Sequence, residues 1–227
     1  MASIEELKAI RLQKLEKLQA SGMNPYPAQV LRDYSIPELK KRFEDLSNTD
    51  KNISIAGRVM AVRGQGAILF VVLQDGGEKF QTVLKKDELS EEVFNLFVDC
   101  VDIGDFISVT GTLFVTARGE QSVLIKEWAM ATKALQPLPD KWHGIQDDDE
   151  RFRKRYLEIL MDKEVYDRFV IRSKVIKTIR EFFDNKNFLE VETPILQNQA
   201  GGAMAKVFET HHNDYDIDMV LRIALEL

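Results

Sequence analysis

At Ile53 the apolar spacing changes from helical to alternating, and with one helical interruption it stays β-like to Met130. Ile53, Ile55, Gly57, Val59 and Ala61 fall on one side of the chain, and Ser54, Ala56, Arg58 and Met60 on the other. A period of two predicts a strand with one buried face. Gly64 and Gly66 predict the turn out of it. Residues 67–74 form a strongly apolar second strand, Gly76-Gly77 is a two-residue hairpin signal, and residues 80–84 give a third strand. Ser90 then predicts the N-cap of a helix whose Val93, Phe94 and Phe97 share a stripe. The β-rich pattern resumes over 106–116 and 122–130, around a turn at 117–120.

Three strands, a helix and two strands is the order of an OB-fold barrel, which presents its second and third strands to single-stranded nucleic acid or oligosaccharide. Taken alone, Phe70 on the second strand reads as an ordinary core aromatic; on an exposed barrel face it would stack on bases. The barrel is expected over 53–134, preceded by a helical extension over 1–52. In that extension Ser3 and Glu6 make a capping box, and Ile4, Leu7, Leu15 and Leu18 recur at helical spacing. Gly22, Pro25 and Pro27 stop the helix, and a second one is predicted over 36–46, with Leu39, Phe43 and Leu46 on one side. Pro137, Pro139 and the acidic run Asp147, Asp148, Asp149 and Glu150 mark 135–150 as a linker with a solvated acidic surface. Residues 151–227 form the last region. Here the pattern predicts a long helix over 163–185 with Val165, Phe169, Ile176, Ile179 and Phe183 along one face. A short buried strand is expected over 188–191, then a turn at Gly201-Gly202 and β-structure over 208–212.

Composition enters as exclusions. With 44% hydrophobic and 30% charged residues among 227, the chain has the content of a folded protein rather than a disordered one. A net charge of -6 argues against sequence-blind coating of DNA, while leaving room for a local nucleic-acid site. No apolar run approaches the ~18 residues of a membrane span, and the first twenty residues are charged throughout, so no membrane partner and a cytoplasmic location are expected. The single Cys100 cannot form an intramolecular disulfide or a cysteine metal cluster, and the adjacent His211 and His212 do not converge on a metal without other ligands. No metal site is expected, and a buried inert thiol is the default for Cys100. The stretch 64–77 lacks the Lys-Ser or Lys-Thr of a P-loop and reads as turn chemistry.

Several consecutive segments resemble class II lysyl-tRNA synthetase. The run Ala134-Leu135-Gln136-Pro137-Leu138-Pro139-Asp140-Lys141-Trp142-His143-Gly144, followed by Arg155-Tyr156-Leu157, is similar to the family's junction between anticodon-binding and catalytic domains. Phe188-Leu189-Glu190-Val191-Glu192-Thr193-Pro194 resembles class II motif 1. Gly201-Gly202-Ala203, Thr210-His211-His212-Asn213 and Leu221-Arg222-Ile223-Ala224 resemble later stretches in the same order. Val207 and Leu225 depart from the pattern, standing where proline is common.

The resemblance implies an α+β protein: an N-terminal helix and a five-stranded OB-fold β-barrel, followed by the first part of a class II synthetase antiparallel-sheet catalytic domain. It implies that Arg63, Phe70, Gln81 and Glu120 contact the uracils of the lysine anticodon. Their chemistry suits that task, since Phe70 offers a ring for stacking, Arg63 only donors, Glu120 only acceptors and Gln81 both. Singly, each polar residue reads as a solvated strand or turn residue. Gly202 and Glu226 are implied in lysine binding, and motif 1 in contacts of a homodimer. The implied activity is that of a lysine–tRNA ligase, with tRNA(Lys), lysine and ATP as partners and Mg²⁺ as cofactor of the full-length enzyme. Arginines of motifs 2 and 3 are not found in these residues, so no catalytic residue is assigned, no bound cofactor is expected and the chain alone is expected to be inactive. Two other readings stand beside this one: a catalytically inactive tRNA-binding OB-fold protein, and the related aspartyl or asparaginyl enzyme.

Overall fold

The computed structural model describes residues 3–49, 51–64, 66–139, 145, 147–202 and 204–225. Residues 140–144 of the junction motif, Ala203 and Glu226 lie outside them. By its contacts the chain divides into two units, residues 1–167 and 168–227. Among the described residues no helix is long and apolar enough to cross a membrane.

In the first unit, α1 (Ile4–Ala20) starts at the expected capping box, with Ser3 accepting from the Glu6 amide and the Glu6 side chain reaching back. Its buried stripe differs from the apolar spacing. Ile4 is 64% exposed, whereas Arg11 is buried beside Leu18. The guanidinium of Arg11 can sit there because it donates to the carbonyls of Ala134 at 2.9 Å and of Gln136 and Ile103 at 3.0 Å. The helix predicted over 36–46 is two helices, α2 (Ile36–Lys41) and α3 (Phe43–Ser47), broken where Arg42 leaves helical geometry at φ -109° and ψ 12°. Leu39 and Phe43 are buried as expected.

The barrel closes in the order β1-β2-β3-β5-β4, the OB-fold arrangement, from β1 (Ile53–Arg63), β2 (Ile68–Asp75), β3 (Glu78–Lys85), β4 (Phe106–Val115) and β5 (Gln121–Thr132). Gly76 and Gly77 have φ of 58° and 83°, the two positive values that a type I′ hairpin turn needs between Asp75 and Glu78. In β1 the alternation holds through Ile53, Ile55, Gly57 and Val59, then a bulge between Val59 and Ala61 shifts it. Val62, rather than the expected Ala61, packs on the core beyond the bulge. At Gly111 the strands approach so closely that a Cβ would stand 1.8 Å from the Leu124 carbonyl oxygen.

Between β3 and β4, α4 (Glu91–Cys100) buries Phe94, Phe97 and Cys100 against the barrel core. Phe97 meets Trp128 edge to face at 5.1 Å. Ser90 caps this helix, its Oγ accepting from the Val93 amide at 3.3 Å. Ser90→Ala is expected to lower stability by about 1 kcal/mol, measured by urea unfolding; an unchanged midpoint would mean that water replaces the cap at no cost.

The acidic run at 147–150 is the start of a helix as well as charged surface. Asp147 caps α5 (Asp148–Arg153), accepting from the Asp149 amide at 2.7 Å and the Glu150 amide at 3.2 Å. Three acidic residues in its first turn face the positive end of the helix dipole. The expected linker therefore contains the first turn of α5. In α6 (Arg155–Met161), the buried Glu158 is held by Arg151 and Arg155. Then α7 (Lys163–Asp184) runs on into the second unit.

That unit also holds an antiparallel sheet of order β6-β8-β7, from β6 (Leu196–Gln197), β7 (Phe208–His212) and β8 (Ile217–Leu221). The buried strand expected over 188–191 is not there: these residues form no ladder, and Leu189 is 86% exposed. A strand exists only against a partner strand, and among the described residues none pairs with this segment.

Candidate nucleic-acid interface

The period of two divides the side chains of β2 and β3. Leu69, Val71 and Leu73 point into the barrel with Phe80, Thr82 and Leu84, which sends Phe70 and Gln81 to the outer face. Phe70 is 37% exposed, so it is not a core aromatic. Hydrogen-bonded register then fixes its neighbours. Phe70 lies opposite Arg63 on β1 and Val83 on β3, while Gln81 lies opposite Val72 on β2 and Ser122 on β5. The turn before β5 brings Glu120 to the same place. Thr116 ties that turn in three ways: its amide donates to the Glu120 carbonyl at 2.9 Å, its carbonyl accepts from the Gly119 amide at 2.8 Å, and its Oγ1 accepts from the Glu120 amide at 3.0 Å.

Arg63, Phe70, Gln81 and Glu120 thus line one groove of about 850 Å³. They come from β1, β2, β3 and the β4–β5 turn, positions spread over 58 residues of sequence that only barrel closure brings together. Lys79, Lys85 and Arg118 line it as well, so four cations surround one carboxylate in a chain of net charge -6. Such a surface suits an anionic backbone threaded past unpaired bases.

Several lining residues, Arg118 in the turn among them, were missed by sequence reasoning. Lys79 and Lys85 share the outward parity of Gln81 on β3 and could have been found from it. Phe114 also lines the groove and could have been found the same way: the extra residue of the bulge between Thr110 and Gly111 lies on β5, so with Ile107, Val109 and Leu113 turned to the core the unbroken parity of β4 sends Phe114 outward.

The second unit places Gly202 in the exposed chain between β6 and β7, at φ 85°, while its expected companion Glu226 lies outside the described residues. His211 faces Asp218 at 2.9 Å and Asp216 at 3.4 Å on the surface, and His212 packs on the Tyr215 ring at 4.8 Å. Among the described residues no group of three or more His, Cys, Asp or Glu side chains could hold a metal ion. Cys100 is buried, and loss of solvent pushes its thiol pKa up.

Comparison with known proteins follows the same division. Residues 53–131 match the family described as OB-fold nucleic acid binding domain, and residues 147–227 match tRNA synthetases class II (D, K and N). The chain is 44% identical to a lysine–tRNA ligase of Carboxydothermus hydrogenoformans over 99% of its own length and 45% of that protein's. It is 43% identical to one of Lactococcus lactis, over 100% and 47% of the two chains. The lysine–tRNA ligase of Clostridium botulinum is 46% identical, over 98% and 44%. The chain spans about 45% of the length of the curated relatives it matches.

Proposed function

Since this chain joins an OB-fold nucleic-acid binding domain to a class II tRNA synthetase domain of the D, K and N group and so belongs to that synthetase family, we propose that it reads the lysine anticodon for a lysine–tRNA ligase. The observation that carries this reading is the convergence of Arg63, Phe70, Gln81 and Glu120 in one basic groove. In the proposed complex a splayed uracil stacks on Phe70. Its Watson–Crick edge, two carbonyl acceptors flanking one N–H donor, meets Gln81, Arg63 and Glu120. The cations Lys79, Lys85 and Arg118 lie along the path of the phosphates.

The ligase reaction joins the lysine carboxylate to the α-phosphate of ATP with release of pyrophosphate, then passes the lysyl group to a hydroxyl of the terminal ribose of tRNA(Lys) with release of AMP. Gly202 and Glu226 are proposed to hold the lysine. A carboxylate facing the substrate ammonium selects for that charge, because a substrate without it leaves the carboxylate unpaired. Among the described residues none forms a cluster suited to Mg²⁺, and none is given a part in binding it. The rival aspartate and asparagine reading is less favoured, since the relatives named above are lysine enzymes.

The test is binding of residues 1–227 to stem-loops that differ only in the anticodon. The lysine anticodon is expected to bind at least tenfold more tightly than an unrelated one. Equal affinity would leave a generic single-strand binder, which is also what an inactive tRNA-binding OB-fold protein without anticodon choice would give. We further propose self-association through the motif 1 segment, where Leu189 and Val191 are exposed, as are Ile176 and Ile179 of α7. Sedimentation is expected to show a dimer that Leu189→Asp shifts toward monomer. A concentration-independent monomer in the wild type would overturn this.

A further inference from the structure

Gln81 can serve as donor or acceptor, and which end of its amide faces a base decides which base it accepts. A free glutamine side chain presents either end with equal ease. The surroundings of Gln81 are not symmetric. Its Nε2 donates to Ser122 Oγ at 2.8 Å, and Ser122 Oγ donates its own proton to the Glu120 carbonyl at 3.2 Å. Ser122 is fully buried, so no water competes for that hydroxyl. With its single proton committed to Glu120, the Ser122 oxygen can only accept, and it therefore holds the NH₂ end of the amide. The reversed amide would have to draw that proton away from the Glu120 carbonyl, so the observed orientation keeps two hydrogen bonds where the reversed one keeps one. Gln81 Oε1 is left facing the groove, and among the described residues no side chain or amide donates to it.

We propose that Ser122 is a positioning residue that fixes the Gln81 amide oxygen-outward and so makes the groove select uracil over cytosine. The inference rests on the anticodon reading of this groove. Phe70 fixes the plane and place of the stacked base, so the atom opposite Gln81 Oε1 is the same ring position for either pyrimidine. Uracil carries an N–H there and cytosine a lone pair. A locked Oε1 accepts from the first and is repelled by the second, while the second Nε2 proton remains available to a neighbouring carbonyl oxygen. Ser122 also links Gln81 to the backbone of Glu120, so two of the three residues that meet the base edge are tied to one buried hydroxyl. The sequence gives no sign of this role, because Ser122 does not line the groove and acts only through Gln81.

The experiment measures binding of residues 1–227 to a lysine-anticodon stem-loop and to the same stem-loop with the stacked uracil changed to cytosine. Ser122→Ala frees the amide to rotate. The uracil stem-loop is expected to bind within about threefold of wild type, while the uracil-to-cytosine ratio falls about tenfold, chiefly through tighter binding of cytosine. Gln81→Ala, in contrast, is expected to lose uracil affinity itself, and Ser122→Thr, which keeps the hydroxyl, to retain the ratio. An unchanged ratio in Ser122→Ala, with wild type still preferring the lysine anticodon, would overturn the role of Ser122 and leave the anticodon reading standing. No preference in wild type would overturn both. A reading that does not depend on any variant folding is the side-chain amide signal of Gln81 in the wild-type protein. One of its two Nε2 protons is expected to be shifted downfield and slow to exchange; both protons at the ordinary shifts of an exposed glutamine amide, and fast to exchange, would refute the lock.

Discussion

Replacing Asp105 with alanine is expected to destabilise the barrel by about 3–5 kcal/mol, the cost of breaking a buried ion pair and the hydrogen bonds its carboxylate accepts. Asp105 and the side chain of Lys133 are both fully buried. Asp105 Oδ2 accepts from Lys133 Nζ at 2.8 Å and from the Asp102 amide at 2.7 Å, and Oδ1 accepts from the Ala134 amide at 2.8 Å. The other two Lys133 protons go to the Cys100 carbonyl at 2.8 Å and Asp102 Oδ2 at 2.6 Å. The truncation therefore takes one of two carboxylates from a buried ammonium and leaves two amides unpaired. Urea unfolding of Asp105→Ala, Lys133→Met and the double variant measures it, and the double variant is expected to recover part of the loss, since it buries no lone charge. A cost below about 1 kcal/mol for Asp105→Ala would show that water enters and replaces the carboxylate.

The same cluster sets a pH dependence. Burial acts to raise the Asp102 pKa, but hydrogen bonds and charge from Lys133 and Lys14 outweigh it, so the group titrates below its ordinary value of 3.8. A carboxyl whose folded pKa is depressed contributes its full stability above the unfolded value and loses it as pH falls through the folded one. The contribution of Asp102 is thus intact at neutral pH and disappears below about pH 4.

The second large effect is on binding. Phe70→Ala is expected to weaken binding of the lysine-anticodon stem-loop by ~1–3 kcal/mol while leaving the melting temperature of the barrel nearly unchanged. The separation follows from where the ring lies. Phe70 stands on the outer face and is more than a third exposed, so its removal opens no cavity in the core. Phe97, packed against Trp128 beneath α4, is the contrast: Phe97→Ala removes a buried ring and would cost ~3–5 kcal/mol of stability through the void left behind. Melting and binding measured on both variants distinguish the roles. A melting loss in Phe70→Ala as large as that in Phe97→Ala, with binding unchanged, would return Phe70 to the core and sink its stacking role.

Much of this was legible in the residues. Local signals were read correctly where one short-range interaction decides the outcome. Ser3 with Glu6 and Ser90 begin helices because each hydroxyl reaches an amide three residues on, and Gly76-Gly77 turns the chain because both residues tolerate positive φ. The uniformly apolar β2 did not tell which side chains leave the barrel: taken alone Phe70 read as a core aromatic, and only the burial alternation of the folded strands puts it on one face with Gln81. Errors arose where a distant partner decides. Arg11 takes a buried place among apolar residues because carbonyls some 90 to 125 positions away receive its protons, and hydropathy could not anticipate that. Residues 188–191 have the composition of a buried strand, but composition supplies no partner strand, and without a ladder they stay irregular and exposed. The bulge in β1 turned Ala61 away from the core, since an extra residue reverses parity for everything after it.

The sequence by itself determined the strands and helix of the barrel and their order, because these follow from periodicity, caps and turns that act over a few residues. Only the tertiary structure decided that Arg63, Phe70, Gln81 and Glu120 share one basic groove, and that a buried serine behind them orients the amide. Those relations depend on interstrand register and on which hydroxyl proton is already taken, and both are set by contacts between residues that are remote along the chain.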